Sequence, residues 1–221
     1  MMIHIKQKNH VNYFYLNQQK LQIYFLTFIA TLFIIALIIK IYSRFFPSSL
    51  SINRKKTDSV ITTIRFISIL PYFLPFLEGV ENFGLKVLSD YPFHFLKFYK
   101  KTIAPFVVFY VENRSVNLIT FLTLYFLIVN SKSPLAVSQF LRFNTLQALL
   151  IFLLTTLIGS MFRSLPMEFR VSLYGLIICN SFLWLITGII LYAITKCFEG
   201  KYSRIPVISE AVKIQIESKG L

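Results

Sequence analysis

The chain has 221 residues, 56% of them hydrophobic and 14% charged. Soluble domains run near 45–50% apolar and about 25% charged, so this composition points to a membrane protein, excludes a disordered chain and argues strongly against an ordinary soluble enzyme. The net charge of +14 lies in flanks between long apolar runs, where retention on one side of a bilayer explains it more simply than nucleic acid does.

Residues 1–22 are polar and basic and contain no acid. The stretch 23–39 carries no charge, and with Lys40 to Tyr42 a helix there reaches about 30 Å, the hydrocarbon thickness. Tyr24 and Tyr42 stand near its ends, where interface aromatics belong. A cleaved signal peptide would need a shorter lead, a shorter apolar core and a small-residue cleavage site. Residues 23–42 therefore read as a transmembrane anchor. A basic linker over 43–58 follows, with Arg54, Lys55 and Lys56 clustered in it.

The first core span is expected at 59–78, with Arg65 snorkelling at one end. Pro71 and Pro75 lie four apart, so the helix must bend there and leave carbonyls without donors. Such a bend has to face protein or water. A kinked span and a half-membrane hairpin both satisfy this, and the full length of the stretch favours the span.

Residues 93–101 (FHFLKFYKK) place Lys97, Lys100 and Lys101 on one side of a helix. Phe95, Leu96, Phe98 and Tyr99 fall on the other, the pattern of an interfacial helix. Pro105 is expected to interrupt it. Further spans are expected at 115–131, 140–162 and 171–195. Ser133-Pro134 is a candidate helix start, and 163–170 reads as a basic loop. The tail is basic, with an amphipathic stretch over 205–216 suited to the membrane or a partner. The fold class is all-α: a multi-pass bundle with a four-helix core over 59–217 and the extra N-terminal anchor.

With five spans, one face receives twelve Lys and Arg from 43–65, 131–142 and the tail. The loops of the opposite face receive seven. The positive-inside rule puts the tail on the side of synthesis, against the three lysines of residues 1–20.

No nucleotide, hydrolase or zinc-protease motif occurs, which argues against an enzyme. His4, His10 and His94 do not cluster at metal spacing, and no cofactor is implied. Cys179 and Cys197, on one helix, would stand about 27 Å apart, too far for a disulfide. No acid falls within the clearest spans, which lowers the reading as an ion-coupled carrier. Glu78 and Glu81, beyond the first span, suit a pore mouth or ordinary interfacial solvation. Asn144, Gln147, Thr155 and Gly159 form one stripe on the 140–162 helix. Such a stripe serves interhelical packing or the wall of a hydrated path, and Asn180 has the same two readings.

Three stretches carry a family resemblance: Ser68 to Gly79 (SILPYFLPFLEG), Phe140 to Leu149 (FLRFNTLQAL) and Ile205 to Ala211 (IPVISEA). In this order they resemble the twenty-kilodalton-subunit family of the translocon at the inner envelope membrane of chloroplasts (Tic). The resemblance implies a four-helix membrane core in the plastid inner envelope and a role in precursor import. Implied partners are other translocon subunits, unfolded precursor proteins and membrane lipid, with no nucleic acid. The Phe, Ile, Lys, Asn and Tyr richness, and a start without the Ser- and Arg-rich pattern of a transit peptide, fit a plastid-encoded algal member. In such a subunit Pro71 and Pro75 would give an adjustable helix and the polar stripe a mildly polar wall. A structural assembly subunit and a small-solute carrier are the alternatives.

Overall fold

The computed structural model describes residues 62–130 and 138–218. The expected anchor at 23–42, the linker at 43–58 and the Ser133-Pro134 helix start lie outside them. The first described helix, α1, is Thr62–Val87, and its hydrogen-bond pitch changes twice. Pro71 and Pro75 have no N–H to donate, so the helix cannot keep α pitch through them. It tightens into a 3-10 turn at Leu70–Tyr72 and widens into a π turn at Val80–Gly84. Pro71 and Pro75 are both buried, so the irregular backbone faces protein, as a bilayer requires. The helix runs on past Glu78 to Val87 and carries Glu78 and Glu81 inside it.

Helix α2 covers 93–112, and Pro105 does not break it. A π turn at Tyr99–Ile103 precedes the proline, with the Ala104 N–H reaching back to the Tyr99 carbonyl. The wider turn makes room for the pyrrolidine ring. Lys97, Lys100 and Lys101 are exposed, Phe95 and Leu96 half-buried and Tyr99 buried. Phe98, expected on the apolar side with them, is 57% exposed; facing acyl chains, a phenyl ring needs no protein cover. Asn113, at φ −114° and ψ 57°, ends α2, and α3, Arg114–Val129, follows.

Helix α4 is Gln139–Arg163, and Ser138 caps it by accepting the Leu141 N–H at 3.3 Å. The stretch expected to be a loop contains a short helix, α5, Met167–Val171. Helix α6, Leu173–Phe198, starts with the Ser172 hydroxyl accepting the Gly175 N–H at 3.2 Å. It closes in a Schellman motif: Lys201 N–H bonds the Lys196 carbonyl at 2.9 Å and Gly200 N–H the Cys197 carbonyl at 3.0 Å. Gly200 stands at φ 69°, where a side chain would strain the backbone. A Cβ there would also crowd the Arg65 guanidinium. The Glu199 carboxyl beside it is held below the ordinary carboxylate range by hydrogen bonds from Lys196 and Lys201. Helix α7, Ile208–Ser218, completes the chain as described.

Side-chain contacts set the directions. Tyr72 meets Asn144 and Gln147 and Asn82 meets Gly159, so α1 and α4 run the same way. Arg65 donates to the Phe198 carbonyl at 3.3 Å, and Gly84 packs on Leu183, so α6 runs opposite. Phe121 stacks on Phe152 and Arg142 donates to the Ile128 carbonyl at 3.2 Å, so α3 opposes α4. Helices α1, α4 and α6 are long and apolar enough to cross a membrane, and α3 is a shorter apolar helix. No strand occurs among the described residues. The protein is an all-α multi-pass membrane protein, with Leu70, Leu118, Leu157 and Leu191 turned outward where lipid covers them.

Cys179 and Cys197 are both free thiols, fully buried. A water-soluble maleimide should modify neither in the detergent-solubilised native protein and both after denaturation. Rapid labelling of either before unfolding would show that the α6 packing is wrong.

Candidate functional site

Proline spacing in α1 decides what faces α4. The 3-10 turn at Leu70–Tyr72 turns the Tyr72 ring fully inward. Its phenol is 3.2 Å from Asn144 Oδ1 and 3.1 Å from Gln147 Oε1, so one proton is shared between two acceptors. Asn144 and Gln147 are three apart on one helical face. Asn144 Nδ2 donates to the Phe140 carbonyl at 2.8 Å, and its Oδ1 accepts from Cys197 Sγ at 3.2 Å. Gln147 Oε1 also accepts the Ser203 hydroxyl at 2.6 Å, and its Nε2 donates to Ser209 Oγ at 3.0 Å.

The tail is therefore part of the site. After the Gly200 turn, Tyr202 packs against Phe140 and Phe143 with ring centroids 5.4 and 4.9 Å away, and burial raises its phenol pKa. Ser209 Oγ accepts the Ile205 N–H at 2.7 Å and donates to the Ser203 carbonyl at 2.9 Å. Val207, between them, has φ 65°. A β-branched residue in that region is strained by roughly 1–3 kcal/mol. The network around it holds it there. Sequence reasoning assigned the tail to the membrane or a partner and missed Tyr72, Ser203 and Ser209. One signal was available: Ser203 and Ser209 bracket the apolar run Ile205 to Ile208.

Thr155 and Gly159, lower on the α4 stripe, do different work. Thr155 is buried and its hydroxyl bonds the Ile151 carbonyl of its own helix at 2.8 Å. Gly159 leaves the space that the Asn82 side chain occupies. Asn82 Nδ2 donates to Glu78 Oε1 at 2.8 Å and to the Glu78 carbonyl at 3.0 Å. Tyr110 of α2 donates to Glu78 Oε2 at 2.5 Å. Glu81 pairs with Arg114 at 3.3 Å at the start of α3. Glu78 is 6% exposed, so it stands in the bundle and not at an open mouth. Asn180 is also fully buried, and Tyr91 donates to it at 2.6 Å while accepting from the Trp184 indole at 2.7 Å.

Around Tyr72, Asn144 and Gln147 the helices and the tail are joined by hydrogen bonds between neutral side chains, each worth about 0.6–2 kcal/mol in a membrane, while Glu78 and Glu81 bring carboxyl groups to the contacts with α2 and α3. Among the described residues, no three His, Cys, Asp or Glu side chains gather where they could hold a metal ion.

Comparison with known proteins gives the same outline. Residues 61–212 match the model of the family described as "Chloroplast import apparatus Tic20-like". That range takes in α1 to α6 and the start of α7. The chain is 48% identical over 169 residues to "Tic20 family protein Ycf60" of Gracilaria tenuistipitata var. liui, covering 76% of this chain and 83% of that protein. The protein of the same name from Porphyra purpurea is 47% identical with the same coverage. "Protein TIC 20-v, chloroplastic" of Arabidopsis thaliana is 29% identical over 79% of this chain and 81% of its own length.

Two variants test the geometry. Gln147→Leu removes the acceptor of the Ser203 hydroxyl, one of the two acceptors of Tyr72 and one of the two donors to Ser209, which should cost about 2 kcal/mol. Limited proteolysis between Gly200 and Ser209 should then accelerate more than tenfold, since cleavage follows the open population. Val207→Gly removes the backbone strain and should slow the same cleavage. Unchanged proteolysis in Gln147→Leu would mean that the tail is not held by this network.

Proposed function

Because the chain belongs to the Tic20 family of chloroplast import proteins, we propose that it is a membrane subunit of an import translocon in the plastid inner envelope and contributes to the path that precursor proteins follow. One observation supports this most directly. The polar side chains between α1, α4 and the tail meet beside the proline-broken turn of α1. Proline removes the local hydrogen bonds that would stiffen that turn. Parting α1 from α4 there exposes Tyr72, Asn144 and Gln147 together, giving neutral donors and acceptors to an unfolded chain.

On this reading the protein is not an enzyme and binds no cofactor, and a motor elsewhere drives movement. Its partners are other translocon subunits, unfolded precursors and the surrounding lipid. A structural assembly subunit is the second reading. The full burial of Asn144 and Gln147 favours it, because packing uses up the same groups that a path would offer.

The discriminating experiment is a photocrosslink in isolated plastids with a precursor arrested midway. A photoreactive residue at Gln147 should capture the arrested chain, and the adduct should vanish when import completes. The same probe at Leu157, which faces outward, should capture none. An intact complex in which Gln147 never crosslinks would leave the assembly role.

A further inference from the structure

At the end of the bundle opposite the tail, three cations gather, and none of them forms an ion pair among the described residues; the acid whose field reaches Arg163, Glu81, is itself paired with Arg114. Lys86 lies in the last turn of α1, Arg163 ends α4 and Arg170 belongs to α5. Lys86 Nζ sits 4.4 Å over the Phe162 ring, and the fields of both arginines act on it. Lys86 Nζ and Arg170 Nε are buried and have no hydrogen-bond partner. Glu168, the acid of α5, is exposed and forms no ion pair among the described residues. Lys86 Nζ and Arg170 Nε are costly where they stand, because each loses water without gaining a hydrogen-bond acceptor.

The surroundings indicate what supplies the anion. Leu85, Met161, Leu165 and Val171 flank the cluster in sequence and are 39–63% exposed. Exposed apolar side chains beside half-buried Lys86 and Arg170 and exposed Arg163 suit a molecule with an anionic head and acyl tails. Guanidinium groups match the oxygens of phosphate or sulfonate, and basic pockets between membrane helices are known receivers of such heads. We propose that Lys86, Arg163 and Arg170 form a binding site for the headgroup of an anionic lipid carrying phosphate or sulfonate. Lys86 supplies the central charge from α1, and the two arginines close the site from the α4–α5 connection. The lipid thereby ties α1 to α4 at the end of the bundle where the tail cannot reach. This site does not rest on the import reading.

Native mass spectrometry of the full-length protein in detergent tests it, with phosphatidylglycerol and phosphatidylcholine of matched acyl chains as probes. Phosphatidylglycerol should be retained preferentially. Lys86→Gln, Arg163→Gln and Arg170→Gln should each weaken its retention about fivefold. Lys97→Gln/Lys100→Gln/Lys101→Gln, on the exposed face of α2, should leave retention unchanged. Where a neutral variant fails to fold, Lys86→Arg/Arg170→Lys keeps the charge and should retain the lipid. Equal retention of the two lipids would overturn the proposal. So would an equal loss in the α2 variant, which indicates diffuse attraction, or full competition by inorganic phosphate, which indicates a free-anion site.

Discussion

The amide of Gln147 receives hydrogen bonds from Tyr72 and Ser203 and donates one to Ser209. Nothing in a bilayer core replaces a missing partner, so an amide at that depth must be satisfied by protein. Much else follows from that requirement. The tail has to fold back onto α4, so α6 must end in a turn tight enough to reverse the chain. Gly200 in the left-handed region makes that turn. The strained Val207 is tolerated because releasing it would undo the bonds of Ser209 and Ser203.

The same constraint shapes the middle of the bundle. Glu78 cannot sit bare among helices, and Tyr110 and Asn82 each donate to one of its oxygens. The π turn of α1, Val80–Gly84, carries Asn82 and starts two residues after Glu78. Asn82 fits only because Gly159 brings no side chain. Two polar clusters thus stitch α1 to its neighbours, one through the tail and α4, the other through α2. Between them α1 has irregular pitch at both contacts. A helix with local breaks, held at its polar contacts, can part from its neighbours without unfolding. This is the property that the proposed role in precursor passage requires.

Much of the architecture was legible without coordinates. Apolar runs of membrane length marked α4 and α6, because burying a backbone in lipid demands long uncharged helices. Pro71 and Pro75 marked the bend, because a residue without an N–H cannot continue a helical ladder. The stripe of Asn144, Gln147, Thr155 and Gly159 was visible from helical period alone. Less visible was the extent of α1, since Glu78 and Glu81 resemble an interfacial end until Tyr110, Asn82 and Arg114 are found beside them. Pro105 resembled a break because a π turn that absorbs a proline leaves no mark in composition.

The sequence by itself determined that the chain forms a helical membrane bundle, that α4 and α6 are long and apolar enough to cross, and which few polar residues these two helices carry. These properties depend on side-chain polarity and period along one helix, and a single chain segment contains that information. Only the tertiary structure decided what the polar residues bond to. Tyr72 lies 72 residues from Asn144, and Ser209 lies 62 from Gln147. Hydrogen bonds act over about 3 Å, so no local pattern could report which distant groups would come within that reach.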